Sequence, residues 1–138
     1  MAMTAAVKRN RYVDQQIRQF AMATGIKIWE GGLCQINAGG YLAKSVSGAQ
    51  MFIGVAYETV DNTAGADGAA LCRVWTQGDF DLPIAATVTI ADVGSPVYAA
   101  ADDIVTLTPG TTNYCGLILH VLSATLVTVR LKGTEAAP

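Results

Sequence analysis

Charge is scarce in this 138-residue chain: only 14% of its residues are Asp, Glu, Lys or Arg, against about a quarter in ordinary soluble domains. With 51% hydrophobic residues, that scarcity excludes disorder for most of the chain, because disordered segments show the opposite balance. It also leaves few ionised groups to cover the surface, which points to an obligate partner or an oligomer. Long apolar runs are missing too. None approaches the roughly 18–20 residues of a membrane-spanning helix. The opening stretch, MAMTAAVKRNRYVDQQ, puts its basic residues after a very short apolar run, the wrong order and length for a secretory signal. Synthesis and folding in a cytoplasm is therefore the expectation.

Catalytic residue types are equally sparse. The single histidine, His120, sits inside the apolar run Leu117-Ile118-Leu119-His120-Val121, a place for a satisfied or interface-facing side chain rather than a base. No serine occupies a GxSxG elbow, and no glycine-rich segment has the GxxxxGK[ST] spacing that cradles phosphate. Cys34, Cys72 and Cys115 are odd in number, widely spaced and without a CxxC pair, so they read as free buried thiols acting as small hydrophobes. Asp79 and Asp81 alternate and would project from one strand face; paired carboxylates of this kind can serve acid–base or metal chemistry, but a solvated face beside Pro83 is the plainer reading. Residues 61–68 (DNTAGADG) lack the alternate acidic ligands and closing glutamate of a calcium loop and read as a turn. No nucleophile, base and orienter assemble from these residues, so neither an enzyme nor a bound cofactor or metal is expected.

What the chain does contain is short β-like runs punctuated by glycine. Ile26–Trp29, Leu33–Ile36 and Tyr41–Ala43 are separated by Gly31-Gly32 and by Asn37-Ala38-Gly39-Gly40, and Phe52–Val60 reads as one longer strand. Leu71, Arg73 and Trp75 alternate with Cys72, Val74 and Thr76. Phe80–Pro83 suits an edge strand or a strand end, because proline cannot donate to a ladder. Pro96–Ala99 and Ile104–Thr108 flank Asp102-Asp103 as a hairpin. Cys115–Leu122 is almost continuously apolar and reads as a central strand buried on both faces, followed by the alternating Thr125–Lys132. Residues 84–95 fit either a strand end or a helical turn. The spacing implies an all-β fold, a compact antiparallel β-sandwich or barrel, over a single domain of residues 20–138.

Residues 1–19 differ in texture and form an extended N-terminal arm. Val13, Ile17 and Phe20 recur at helical spacing, enough for a turn or two that would be marginal in isolation. Residues 1–20 hold four cations, Lys8, Arg9, Arg11 and Arg18, against Asp14 alone, whereas residues 21–138 hold five cations against ten acids. A basic arm thus precedes an acidic body, and such separation speaks of a partner for the arm. Because the body is acidic and lacks interleaved aromatic and basic residues along a strand, an acidic protein surface fits better than nucleic acid.

The segments GIKIWEGGL (residues 25–33) and INAGGYL (residues 36–42) resemble the N-terminal signature of a family of phage capsid decoration, or cement, proteins. The resemblance continues through FIGVA (52–56), VDNTAGADG (60–68), DVGSPVY (92–98) and the closing residues 115–131, covering about residues 20–132. It implies a virion protein, made in the host cytoplasm, that binds the outer face of an assembled shell, bridges major capsid protein subunits and stabilises them. It also implies a homo-oligomer, with a trimer favoured, and offers no catalytic residue. On this reading the arm residues Lys8, Arg9, Arg11, Tyr12 and Arg18 contact a capsid subunit or a sister copy. The alternative is a surface module in which Trp29, Trp75 and the tyrosines recognise a host-cell ligand such as a glycan, though aromatics of this kind more commonly pack in cores and subunit contacts.

Overall fold

Alternation in Leu71–Trp75 becomes strand β7, with Cys72 and Val74 fully buried and Leu71 and Arg73 facing solvent. The computed structural model describes residues 17–46, 50–109 and 113–131. Around β7 the first half of the chain lays down β1 (Ile17–Ala21), β3 (Leu33–Ile36), β4 (Leu42–Lys44) and β5 (Met51–Ala56). They form an antiparallel sheet in the order β1-β7-β5-β3-β4. The second half gives β8 (Asp79–Pro83), β9 (Pro96–Ala99), β10 (Val105–Thr106), β11 (Tyr114–Ser123) and β12 (Leu126–Leu131), ordered β10-β9-β11-β12-β8. A separate antiparallel pair, β2 (Ile26–Ile28) and β6 (Val60–Asn62), completes an all-β architecture.

Both five-stranded sheets curl until their edges meet. Met22, just past β1, bridges Leu42 of β4 in parallel, and the Ala23 N–H donates to the Leu42 carbonyl at 2.9 Å. Ile84, just past β8, bridges Val105 of β10, with the Ala85 N–H donating to Val105 at 2.8 Å. Each staple covers edge groups that would otherwise invite pairing with another chain.

Two cores follow from period-2 alternation. Leu33, Phe52 and Val55 face the second sheet and pack with Leu82, Val97, Ile118, Val127 and Val129, all nearly inaccessible to water. Residues on the opposite face of the first sheet, including Cys34, Ala56, Cys72 and Val74, pack with Met22, Leu42 and Ile28 of the β2–β6 pair. All three cysteines are free and buried, as their apolar neighbourhoods implied.

Turn chemistry sets the β3–β4 hairpin. Asn37 Oδ1 accepts the N–H groups of Gly39 and Tyr41, both at 3.0 Å, and Gly40 takes φ +87°, a conformation costly for any residue with a Cβ. Gly116 answers a different need: a Cβ there would collide with the Arg130 carbonyl oxygen across the β11–β12 ladder.

The structure departs from the sequence expectation at four places. Strand β1 starts at Ile17, so Ile17, Arg18 and Gln19 belong to the sheet rather than the arm. Ile17 and Phe20 lie in an extended strand paired with β7, which replaces the helical spacing on the described residues. The run read as one strand over 52–60 is two, because β6 leaves the sheet to pair with β2. Strand β11 is buried on both faces only at Tyr114–Gly116; beyond bulges near Leu119 and Leu122, His120 and Leu122 face solvent. In the ambiguous 84–95 stretch a single 3-10 turn, Ile90–Asp92, forms where the Thr89 N–H donates to Asp92 Oδ2 at 2.8 Å.

Candidate docking surfaces

One row of residues crosses four strands of the first sheet. Ile17 pairs with Trp75, Trp75 with Val55, and Val55 with Leu33. At the Leu33 end, the turn Trp29–Gly32 enters β3. The Gly31 N–H donates to Ala56 at 2.9 Å, and the Leu33 N–H donates to the Asp102 carbonyl at 2.7 Å. The last bond draws the β9–β10 loop, Asp102-Asp103 included, against the first sheet.

Two cavities flank this turn and share Glu30 and Gly31. One, of about 460 Å³, is walled by Val55, Tyr57, Trp75 and Phe80. The other, of about 360 Å³, is lined by Trp29, Leu33, Leu82 and Pro83 and by the carboxylates of Glu30, Asp81, Asp102 and Asp103. Glu30 borders both cavities, and the smaller one carries the further carboxylates. Trp75 stands edge-on to Tyr57 at 5.4 Å between ring centroids and 6.3 Å from Phe80, so the wall is a continuous aromatic run. Trp29 is 57% exposed, and Lys27 Nζ lies 3.8 Å over its ring.

Acidic groups here divide into paired and unpaired. Glu58 takes both Arg73 Nε at 2.9 Å and Nη2 at 3.2 Å, and the guanidinium also lies 4.7 Å over Tyr57. Its hydrogen bonds hold the Glu58 carboxyl below the usual range and raise Arg73. Asp79 and Asp81 project from one face of β8, as alternation required, but each has its own partner on β12. Arg130 grips Asp79 at 3.0 and 3.3 Å and lowers its pKa, while Thr128 Oγ1 donates to Asp81 at 2.6 Å. They are cross-strand ties and not an acid–base couple. Glu30, Asp102 and Asp103 have no ion-pair partner among the described residues. Nor do three His, Cys, Asp or Glu side chains among the described residues converge tightly enough to hold a metal ion.

A second surface lies on the other half. Residues 88–95 run beside β11: Val88 N–H donates to Ala124 at 2.9 Å, Gly94 N–H to Ile118 at 2.8 Å, and Ile118 N–H returns to Ser95 at 3.0 Å. Along this strip Ile90 is 81% exposed and Leu122 52%, with Val93 and Leu117 exposed beside them. His120 faces solvent on the same strand.

Of the residues expected to make contacts, Lys8, Arg9, Arg11 and Tyr12 lie outside the described residues. Arg18 is a half-buried member of β1 opposite Val74. Sequence reading missed the acids of these cavities. Asp102-Asp103 looked like hairpin punctuation, and only the body's acidic excess hinted that several carboxylates would go unpaired. The residues 61–68 turn is an ordered structural loop. Buried Asn62 donates to Ala23 at 2.8 Å and to Ala66 at 3.1 Å, and Asp67 accepts the Thr24 N–H at 2.8 Å.

The family model described as phage cement protein matches residues 12–133. No curated protein matches the chain. Among solved structures, the N base of the head fiber gp8.5 of bacteriophage phi29 is similar, with a TM-score of 0.52 at 12% identity, over 88% of this chain and 99% of that one. At that identity the likeness is one of fold.

Proposed function

Because the chain belongs to the phage cement protein family, and is thus a structural component of the virion that binds the capsid, we propose that it stabilises the assembled shell by bridging major capsid protein subunits from outside. The observation that carries this reading is the family match over nearly the whole β-fold. The exposed strip Ile90, Val93, Leu117 and Leu122 supports it, since a stable contact needs about 800 Å² per partner with a charge-poor centre. A stapled pair of sheets laid across a seam adds contacts that must break together when the shell ruptures. Repetition around a closed particle turns modest single contacts into strong retention through effective concentration. The protein acts as a homo-oligomer, a trimer in the simplest case, which covers further apolar surface.

Adding the purified protein to shells that lack it should give bound copies and a higher rupture temperature. The double change Ile90→Asp with Leu122→Asp should weaken that binding at least tenfold while leaving the fold intact, because both side chains are exposed. Absence of binding at micromolar concentration would sink the proposal.

A second reading, recognition of a host-cell glycan, draws on the exposure of Trp29. Against it, Lys27 already lies over that ring, Trp75 is half-buried between Tyr57 and Phe80, and Tyr98 and Tyr114 are buried against each other. A glycan array probed with the intact protein separates the two readings.

A further inference from the structure

We propose that the cavity walled by Tyr57, Trp75 and Phe80 is a cage for an arginine side chain presented by a protein partner. The three rings stand at an angle to one another. Trp75 meets Tyr57 at 5.4 Å between centroids with the planes 62° apart, and Phe80 at 6.3 Å with the planes 56° apart. In contacts of that inclination one ring offers its edge and keeps its own faces clear, so π-surface is left over for a third group. Trp75 and Phe80 also back onto the core shared by the two sheets, which sets their rings before any ligand arrives. The rest of the lining is Glu30, Gly31, Val55 and Ala56, so its one charged group is a carboxylate.

Aromatic rings beside a carboxylate select a cation. The ring quadrupole attracts positive charge within about 6 Å of the centroid. Glu30 is exposed and has no ion-pair partner among the described residues. It also borders the neighbouring cavity, where Asp81, Asp102 and Asp103 add to the negative charge. Glu58, in contrast, is already matched by Arg73. That guanidinium lies 4.7 Å over the Tyr57 ring, so the protein itself displays the kind of contact assigned to the cavity. Arginine suits the cage better than lysine. Its flat guanidinium is more weakly hydrated and stacks on rings, while its forked donors still reach a carboxylate. Protein interfaces concentrate their binding energy on arginine, tryptophan and tyrosine, which makes a protein the source of the cation. A sugar, whose many hydroxyls each need a partner, finds only Glu30 and Tyr57 as polar side chains on this lining.

This inference stands apart from the capsid reading, whose exposed strip lies along β11. Its test is a nuclear magnetic resonance titration of the isotopically labelled full chain with the capped peptide acetyl-Gly-Arg-Gly-amide. The two indole N–H signals are told apart with Trp29→Phe. The expected result is a saturable shift of the Trp75 signal at millimolar peptide, with Trp29 unmoved. The same peptide with citrulline, arginine's uncharged analogue, should bind roughly tenfold more weakly. Glu30→Gln, a change at an exposed position that leaves the fold intact, should weaken the arginine peptide several-fold, and Phe80→Leu should do the same. Equal response to the citrulline peptide would overturn the cation reading, and so would full binding by Glu30→Gln. Tetramethylammonium binding more tightly than the peptide would overturn the protein partner and give the cage to a free quaternary ammonium ligand. No saturable shift of Trp75 with any of these probes would overturn the proposal outright.

Discussion

The two halves of this molecule solve the same problem with different materials. Each is a five-stranded antiparallel sheet whose edges are stapled by one parallel bridge, Met22–Leu42 in the first half and Ile84–Val105 in the second. The core beneath the second sheet is mostly Val, Ile and Leu, with Ala99 and Cys115 among them, and it borrows Leu33, Phe52 and Val55 from the first. The core on the far side of the first sheet is smaller and richer in Met, Cys and Ala, made of Met22, Cys34, Leu42, Ala56, Cys72 and Val74 and closed by Ile28 of the β2–β6 pair. Their surfaces differ as well. Trp29, Tyr57 and Trp75 of the first half line cavities that Phe80, Leu82 and Asp102 of the second close, whereas the second half alone carries the exposed Ile90 beside β11 and Leu117 and Leu122 on it. One sheet design thus supplies two chemically distinct surfaces, and stability should rest mainly on the larger shared core.

The most forceful way to break that comparison is to empty each core in turn. Phe52 is 1% exposed and joins the sheets; Phe52→Ala should cost about 3–5 kcal/mol, the range for large aromatic deletions that leave a cavity. Met22 is 0% exposed in the smaller core, and Met22→Ala should cost about 2–3 kcal/mol, because the pliable surroundings can partly collapse. Urea unfolding of both variants measures this. Were Met22→Ala the costlier change, the ranking of the two cores would be reversed.

The thiols sharpen the contrast at a smaller scale. Burial pushes the Cys34 thiol far up, with the nearby Cys72 thiol and Asp102 adding to the effect. Burial likewise pushes Cys72 up to about 11. Neither offers a thiolate near neutral pH, so native protein at pH 8 should resist a thiol reagent and release three reactive thiols per chain only on unfolding. Cys34→Ser should cost about 1 kcal/mol and not more, since the hydroxyl inherits the Gly32 carbonyl that Cys34 Sγ approaches at 3.5 Å. Rapid labelling in the folded state would mean that the smaller core opens locally.

These cores were legible in the sequence wherever alternation was strict. Cys72 and Val74 against Leu71 and Arg73, or Val127 and Val129 against Thr128 and Arg130, take the faces that period 2 assigns. Pro83 ends an edge strand, and the Asp102-Asp103 hairpin joins β9 to β10. Legibility failed where a tertiary partner decided the outcome. Ile17–Gln19 looked like the end of an arm because no period-2 alternation marks it and Val13, Ile17 and Phe20 recur at helical spacing, and only pairing with β7 makes it a strand. Val60–Asn62 looked like the tail of a long strand until β2 claimed it. The two cavities were invisible because their walls come from five separate stretches, with Glu30 and Asp103 distant in sequence and brought to one cavity where Leu33 bonds to Asp102.

The smallest expected effect concerns the one feature the halves share on their surfaces. Each carries a forked arginine–carboxylate pair, Arg73 with Glu58 in the first and Arg130 with Asp79 in the second. Both carboxyls are held below their ordinary values, chiefly by the guanidinium hydrogen bonds. A carboxyl depressed in the folded state binds its proton more readily when unfolded. Its contribution is therefore complete above the ordinary carboxylate pKa and is lost as the pH falls through the depressed value. Glu58→Gln and Asp79→Asn should each flatten the acid limb of a stability–pH curve and change little at neutral pH, because exposed pairs are screened by water and salt. Glu58 should register the more clearly of the two: its oxygen also accepts the Arg73 backbone N–H at 3.0 Å, and its side chain is less exposed than that of Asp79. An equal response from both pairs would mean that the backbone bond adds nothing, and that the two halves are tied at their surfaces in the same way.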